Sequence, residues 1–410
     1  MPAVKSSTWR LLLILVWFCL DCLVPGQSRS EVRGLWVVRA SLCSPGAIDK
    51  LVEEASDSGF NTLLVQVRGR GDALYVSRLE PRSDLLKEQP EDFDPLGYLL
   101  EKAKARNLRV HAWINTLLVQ VANGQQPVPG HVLVRHPEWA MVPPHLASTL
   151  YDRKAGYPES LAKIGTAIKK RAEETEGFYL DPAEPLVRQF LAQVCSDLVA
   201  RYAVDGVHLD YLRYPNPDFG FGRTALDSFQ QEIDKRLKPA ARKRMNKEFA
   251  KNRLCYTQRY PRQWDAFRRQ QVTKLLEQLQ HAVRAQRPEI LLTAAVTGDS
   301  QVAFDQKSQD WKAWMEDRLL DGVCPMAYTA DTGLFKDQVA IARGFSFGGQ
   351  VWAGIGAWRT PIDSTLEKIL MARKIRADGF LLFCYGTLSE DKPGTSDQPL
   401  EKLKAFLRDE

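Results

Sequence analysis

Cysteine and histidine are scarce in this chain of 410 residues, seven and six respectively. No Cys-x-x-Cys pair and no Cys/His metal spacing occurs, so neither a metal nor any other cofactor is expected. A Gly-rich phosphate turn is also missing. Arg33–Ser44, at the first strand, offers none, which argues against a dinucleotide fold. No Gly-x-Ser-x-Gly elbow supports an esterase. Long apolar runs are lacking too: Leu11 to Leu20 is about half the ~20 residues that a membrane-spanning helix requires. Preceded by Lys5 and Arg10 and followed by Val24-Pro-Gly26, that run reads as a signal peptide over residues 1–26. An uncleaved N-terminal anchor is the alternative, and neither Cys19 nor Cys22 sits in a lipoprotein box. The expectation is an exported protein, periplasmic or extracellular, with no stable membrane span after cleavage. The five remaining cysteines (Cys43, Cys195, Cys255, Cys324 and Cys384) are scattered through apolar patterns and read as buried free thiols.

What is present is a large globular composition, 44% hydrophobic and 26% charged, with no internal repeat or low-complexity linker. Apolar strand patterns alternate with helical ones almost to the C-terminus. The strands read as Arg33–Ala40, Asn61–Arg68, Arg109–Asn115, Gly206–Leu212, Ile290–Thr297, Gly322–Tyr328, Val351–Ala357 and Gly379–Tyr385. Eight strand-then-helix units predict an α/β fold, a (β/α)8 TIM barrel over residues 31–408, because parallel strands need crossovers of a dozen or more residues. A doubly wound open sheet is the alternative. Two connections are longer than barrel loops need: Thr116–Asp181 after the third strand, carrying Trp139, Tyr151 and Tyr157, and Asn216–Pro261 after the fourth. Both leave the C-terminal face, where barrel active sites form.

The densest cluster of chemistry is Asp205-Gly-Val-His-Leu-Asp-Tyr-Leu-Arg-Tyr-Pro215. Period-two alternation puts His208, Asp210 and Leu212 on the inner side of the fourth strand, where polar groups cost several kcal/mol unless partnered. A structural carboxylate is the bland reading of Asp210; a site carboxylate is favoured. The other strand ends add Arg68 and Asp72, His111, Trp113 and Asn115, then Tyr211 and Arg213, Asp299, Tyr328 and Asp331, Trp358, and Tyr385. Carboxylates among tryptophans and tyrosines suit a sugar site, where rings stack on apolar sugar faces and acids serve the glycosidic bond. Trp36 and Trp352 read as core. His111 is evenly balanced between core and site, while Asp299 and Asp331 are equally readable as turn formers. Residues 216–261 form a basic insertion. Over Arg223–Arg269, fourteen Lys or Arg face five Asp or Glu, a balance that fits a solvated helical face or attraction to an anionic glycan. No nucleic acid partner is expected.

At these residues the chain resembles the bacterial glycosyl-hydrolase-like family 10 proteins. The resemblance rests on Arg33-Gly-Leu-Trp36, Gln66-Val-Arg68, Gly71-Asp-Ala-Leu-Tyr75, His111-Ala-Trp-Ile-Asn115, Leu180-Asp-Pro182, Asp205-Gly-Val-His-Leu-Asp210 with Arg213-Tyr-Pro215, and Asp321-Gly-Val-Cys-Pro-Met-Ala-Tyr328. It implies an exported TIM barrel related to glycosidases, with some relatives linked to peptidoglycan glycan strands. Where many relatives carry a second acid after the fourth-strand Asp, this chain has Tyr211. A more distant similarity is to family 18 chitinases, whose general acid falls on Leu212 here, and leucine donates no proton. The expected function is hydrolysis of a polysaccharide, cell-wall glycan foremost. Asp210 is the central carboxylate, with Asp331, then Asp299 or Asp72, as candidates for its partner. Arg68, Asp72, His111, Trp113, Asn115, His208, Tyr211, Arg213, Tyr328, Trp358 and Tyr385 are the expected substrate contacts. A non-catalytic glycan-binding barrel of the cell envelope is the alternative.

Overall fold

The apolar runs fold as eight parallel strands: β1 Val32–Val37, β2 Thr62–Arg68, β3 Arg109–Asn115, β4 Gly206–Asp210, β5 Leu291–Thr297, β6 Gly322–Met326, β7 Gln350–Gly356 and β8 Gly379–Phe383. In the computed structural model each strand pairs with its neighbours in sequence, and β8 pairs with β1, closing the barrel. The model describes residues 30–121, 127–151, 158–170, 175–389 and 399–408; the expected signal peptide and Tyr157 lie outside these. Helices return the chain between strands, so the expected (β/α)8 architecture is the one found. Among the described residues no helix is long and apolar enough to cross a membrane.

A repeated local device starts the strands. Asp205-Gly206, Asp321-Gly322 and Asp378-Gly379 open β4, β6 and β8. Each aspartate accepts a hydrogen bond from a backbone N–H at the start of the preceding strand: Val110 at 2.7 Å, Leu292 at 2.8 Å and Val351 at 2.8 Å. Asn61 does the same for Arg33 at 3.0 Å, ahead of β2. These bonds satisfy strand-end donors that the ladder leaves over, and they fix the stagger of neighbouring strands at the N-terminal end of the barrel. Gly206 has a second duty, because a Cβ there would sit 2.2 Å from His111 Nδ1. A side chain at this position would displace the imidazole from the lumen.

Inward-facing residues fill the barrel. Val32, Trp36, Leu64, Trp113, Cys324, Trp352 and Leu381 form its inner cluster, so Trp36 and Trp352 are core. A much larger apolar layer packs the outer strand faces against the helices. The basic insertion forms helices Arg223–Asp234, Pro239–Phe249 and Cys255–Arg259, followed by the long helix Pro261–Gln286. Phe229, Ile233, Phe249, Tyr256, Trp264 and Phe267 pack there with Ala147 and Tyr151 as a separate hydrophobic core. The segment is thus a folded helical layer with its charges turned outward. All five described cysteines are unpaired, and only Cys43 is not buried.

Candidate active site

β4 ends at Asp210, two residues earlier than its apolar pattern predicts. Tyr211 adopts φ +53°, in the left-handed region that bulky residues avoid, and this turn breaks the alternation. Leu212 is therefore buried in the outer core instead of lining the lumen. The strained turn is held from two sides: Thr116 N–H donates to the Asp210 carbonyl at 2.7 Å, and Tyr211 N–H donates to Asp210 Oδ1 at 2.6 Å. Backbone strain of this kind concentrates where a side chain must be aimed. Here the chain aims Asp210, beside Asn115 in the β3–β4 register, at the C-terminal mouth.

Asp210 is buried, with 7% of the residue exposed. Burial pushes its pKa above the ordinary aspartate value, opposed by Arg213 and the Tyr211 amide and helped by the negative charge of Glu176. Arg213 is the hub of the site. Its Nη1 lies 3.3 Å from Asp210 Oδ1, its Nη2 lies 3.5 Å from Glu176 Oε1, and its guanidinium stacks 4.4 Å from the Tyr211 ring centroid. Glu176 arrives from the long connection after β3. There Leu118–Val121 and Gly177–Tyr179 pair as a small antiparallel ribbon, and Glu176 immediately precedes its second strand. Tyr179 donates its hydroxyl to Glu176 Oε2 at 2.7 Å. Crowding by surrounding protein favours the neutral acid at Glu176, but Arg213 and the Tyr179 hydroxyl outweigh it and hold its pKa below the usual glutamate value. Two carboxyl groups are thus driven in opposite directions around one guanidinium.

The opposite wall of the mouth is aromatic. Tyr328, after β6, packs edge-on against Trp36 at 6.1 Å and Trp358 at 4.9 Å, and Phe383 completes the cluster at 5.7 Å from Tyr328. Trp358 is 42% exposed, an unusual setting for the largest apolar side chain and a ready platform for a sugar face. Burial raises the Tyr328 phenol well above its usual pKa, and the Asp210 charge raises it further. Among the described residues no three His, Cys, Asp or Glu side chains converge as metal ligands.

The sequence model of the family described as glycosyl hydrolase-like 10 matches residues 31–344. The chain belongs to this family. It is 26% identical over 341 residues to the glycosyl hydrolase DigH of Escherichia coli K12, covering 74% of this chain and 66% of that protein. It is 22% identical over 364 residues to the glycosyl hydrolase YngK of Bacillus subtilis, covering 80% of this chain and 61% of that protein. The chain therefore spans less than two thirds of the length of either relative. Solved structures share the fold, among them the following two. The PgaB glycoside hydrolase domain from Bordetella bronchiseptica has a TM-score of 0.60 at 14% identity, over 92% of this chain and 99% of that one. The catalytic domain of β-amylase from Paenibacillus polymyxa has a TM-score of 0.58 at 13% identity, over 92% and 98%.

In this glycosyl hydrolase-like 10 barrel, Asp210, Tyr211, Arg213, Tyr328, Trp358 and Asn115 gather at the mouth, with Trp113 just beneath it, 6.3 Å from Phe383. Asn115 accepts from Gln66 at 3.1 Å and donates to the Gly69 carbonyl at 2.8 Å. Other sequence-derived candidates go elsewhere. The β2–β3 register shifts between Gln66 and Arg68, which turns Arg68 from the lumen to the outer face. There it is fully buried, with Nε on both Glu80 oxygens at 2.9 and 2.8 Å. Asp72 is occupied by Arg39 at 3.3 Å, by the Arg70 amide at 2.9 Å and by the Ser83 hydroxyl, and it shapes the loop after β2. His208 is wholly buried. Trp36 Nε1–H donates to its Nε2 at 3.1 Å, so Nδ1 carries the proton and donates to Thr293 Oγ1 at 3.0 Å. His111 lies deeper still, packed on Trp352 at 5.3 Å and kept neutral as burial and Arg109 lower its pKa to about 3. Asp299 and Asp331 are exposed N-caps, accepting from Gln301 and Val302 (2.8 and 3.0 Å) and from Leu334 (3.0 Å) respectively. Tyr385 points outward, donating to Glu54 at 2.7 Å. The string Gly344-Phe-Ser-Phe-Gly348 has elbow spacing, but it joins a helix to β7 at the N-terminal end of the barrel, not a strand to a helix. Glu176 is absent from the sequence-derived candidates.

Proposed function

We propose that this protein is an exported glycoside hydrolase acting on a polysaccharide, with bacterial cell-wall glycan as the leading substrate and Asp210 as its proton donor. One observation carries the reading: a carboxyl of raised pKa at the C-terminal mouth of a TIM barrel, facing a wall that ends in an exposed tryptophan. A carboxyl whose pKa burial raises is suited to protonate the leaving oxygen of a glycosidic bond. Trp358 and Tyr328 offer stacking surfaces for the pyranose rings on either side of that bond. Membership of the glycosyl hydrolase-like 10 family, and similarity to DigH and YngK, support hydrolysis of a glycan. Export rests on the charged and apolar pattern of residues 1–26. The preference for a carboxylate-bearing glycan rests on the basic composition of Arg223–Arg269.

The rival reading, a glycan-binding barrel without chemistry, is favoured by Leu212, which is buried in the core at the position of the chitinase acid. The test is incubation of the mature protein with amidase-stripped peptidoglycan strands and with chitin oligomers, the products being resolved by mass. Release of new reducing ends supports hydrolysis. Pull-down of either glycan without release transfers the assignment to the binding barrel.

A further inference from the structure

We infer that Glu176 is the second carboxyl of the site, the base that accepts a proton from the attacking water while Asp210 protonates the leaving oxygen. The inference rests on the preceding reading of the site as a glycosidase centre, and it names the partner that Asp331, Asp299 and Asp72 do not supply. Asp331 and Asp299 spend their carboxylates on helix N-termini, and Asp72 spends its own on Arg39 and the β2 loop. Glu176 and Asp210 are instead held by two nitrogens of a single guanidinium. The two contacts plus the span of that fork place the carboxylate oxygens no more than about 9 Å apart. That bound covers both the ~5–5.5 Å of retaining and the ~6.5–9.5 Å of inverting glycosidases; the solvent-open Glu176 side chain, which a water can reach, is what favours the inverting role.

Three connections converge on this pair. Glu176 and Tyr179 come from the ribbon after β3, Asp210, Tyr211 and Arg213 from the end of β4, and Lys307 from the segment after β5. Lys307 is anchored to the Pro215 carbonyl, and burial, together with the proximity of Arg213, lowers its pKa. Glu176 keeps a 42% exposed side chain, so solvent reaches it, whereas Asp210 is enclosed. A carboxyl shifted down and open to water, beside one shifted up and enclosed, is the pairing that a base and an acid require. In the step, a water oxygen forms a bond to the anomeric carbon as the bond from that carbon to the glycosidic oxygen breaks. The electron pair stays on the leaving oxygen, which takes the Asp210 proton, and the proton lost by water goes to Glu176. Glu176 then releases its proton to solvent and Asp210 is reprotonated. One sugar leaves as a hemiacetal of inverted configuration, and the other leaves as an alcohol. Arg213 positions both carboxyls.

The experiment compares wild type, Glu176→Gln and Glu176→Ala on amidase-stripped peptidoglycan strands and chitin oligomers, with thermal melts to confirm folding. Glu176→Gln is expected to lose at least about 100-fold in kcat with little change in KM. The acidic limb of the kcat–pH profile is expected to vanish with it, and azide is expected to restore turnover to Glu176→Ala by attacking without a base. A purely structural role would leave the pH profile intact and give no azide rescue. The assignment is overturned if folded Glu176→Gln stays within tenfold of wild type while Asp210→Asn is dead; the glycosidase reading survives that result. It is overturned as well by a loss that azide does not rescue with an unchanged pH profile. A wild type that cleaves neither glycan fails one step earlier and removes the glycosidase reading and this assignment together.

Discussion

Substituting Glu80 by glutamine removes the carboxylate that clasps Arg68, in a pair whose side chains are both 0% exposed. Arg68 contacts both Glu80 oxygens through Nε at 2.9 and 2.8 Å, reaches one of them again through Nη2 at 2.7 Å, and donates Nη1 to the Asn115 and Thr116 carbonyls at the end of β3. A guanidinium in that setting cannot lose its charge. Breaking a buried pair from one side typically costs about 3–5 kcal/mol, because the surviving charge is left uncompensated. Against a usual domain stability of roughly 5–15 kcal/mol, Glu80→Gln is expected to remove about a fifth or more of the total. Arg68→Met strands the Glu80 carboxylate and two strand-end carbonyls, at a similar cost. The double variant removes both charges, so its loss is expected to fall short of the sum of the singles by about 2 kcal/mol or more. Urea unfolding followed by tryptophan fluorescence reads all four corners of this cycle. Single variants costing under ~1 kcal/mol, or a double variant that is simply additive, would refute the structural role assigned to Arg68 and reopen its place in substrate binding.

Asp181 is buried behind the ribbon, and burial raises its pKa from 3.8 to about 7. The folded protein therefore holds this proton more tightly than the unfolded chain. The resulting stabilisation is complete below pH 4 and is lost as pH rises through 7. Asp181→Asn still accepts from the Ala183 amide but cannot ionise. It is expected to match the parent near pH 4 and to exceed it by a few kcal/mol at pH 8, read from melts across pH. Trp358→Ala is expected to leave the melting temperature nearly unchanged and to weaken chitin-oligomer binding about tenfold by calorimetry, since the ring is 42% exposed. Asp331→Ser keeps an N-cap oxygen for Leu334 and should preserve both stability and glycan cleavage; a 100-fold activity loss would return Asp331 to the site.

The barrel was legible because each strand is a short apolar run, several of them with a marked start. The Asp-Gly pairs at 205, 321 and 378 carry that mark, and their shared bonding to the preceding strand explains why the pattern recurs. Asp210 and Arg213 were legible for a similar reason, as polar groups at the end of a strand that is otherwise apolar. Two of the misplacements share one physical origin, which is local loss of period two. A register shift turns Arg68 outward, and the left-handed turn at Tyr211 sends Leu212 into the core. His208 does face inward as alternation requires, but Trp36 and Thr293 satisfy both of its nitrogens, and partners from β1 and β5 are invisible along a single strand. Glu176 lies in a connection with no sustained period. Its only local cue is the Gly177-Phe-Tyr179 stretch before Leu180-Asp-Pro182, and its neighbour Arg213 is 37 positions away in the chain.

The proposed cut of a glycosidic bond turns on proton donation by Asp210. The most direct measurement is the rate of reducing-end release by wild type and by Asp210→Asn from amidase-stripped peptidoglycan strands, beside the affinity of each for the same strands. Release by the variant is expected to be at least about 100-fold slower, with its binding retained. An Asp210→Asn protein that cleaves at the wild-type rate would contradict that role.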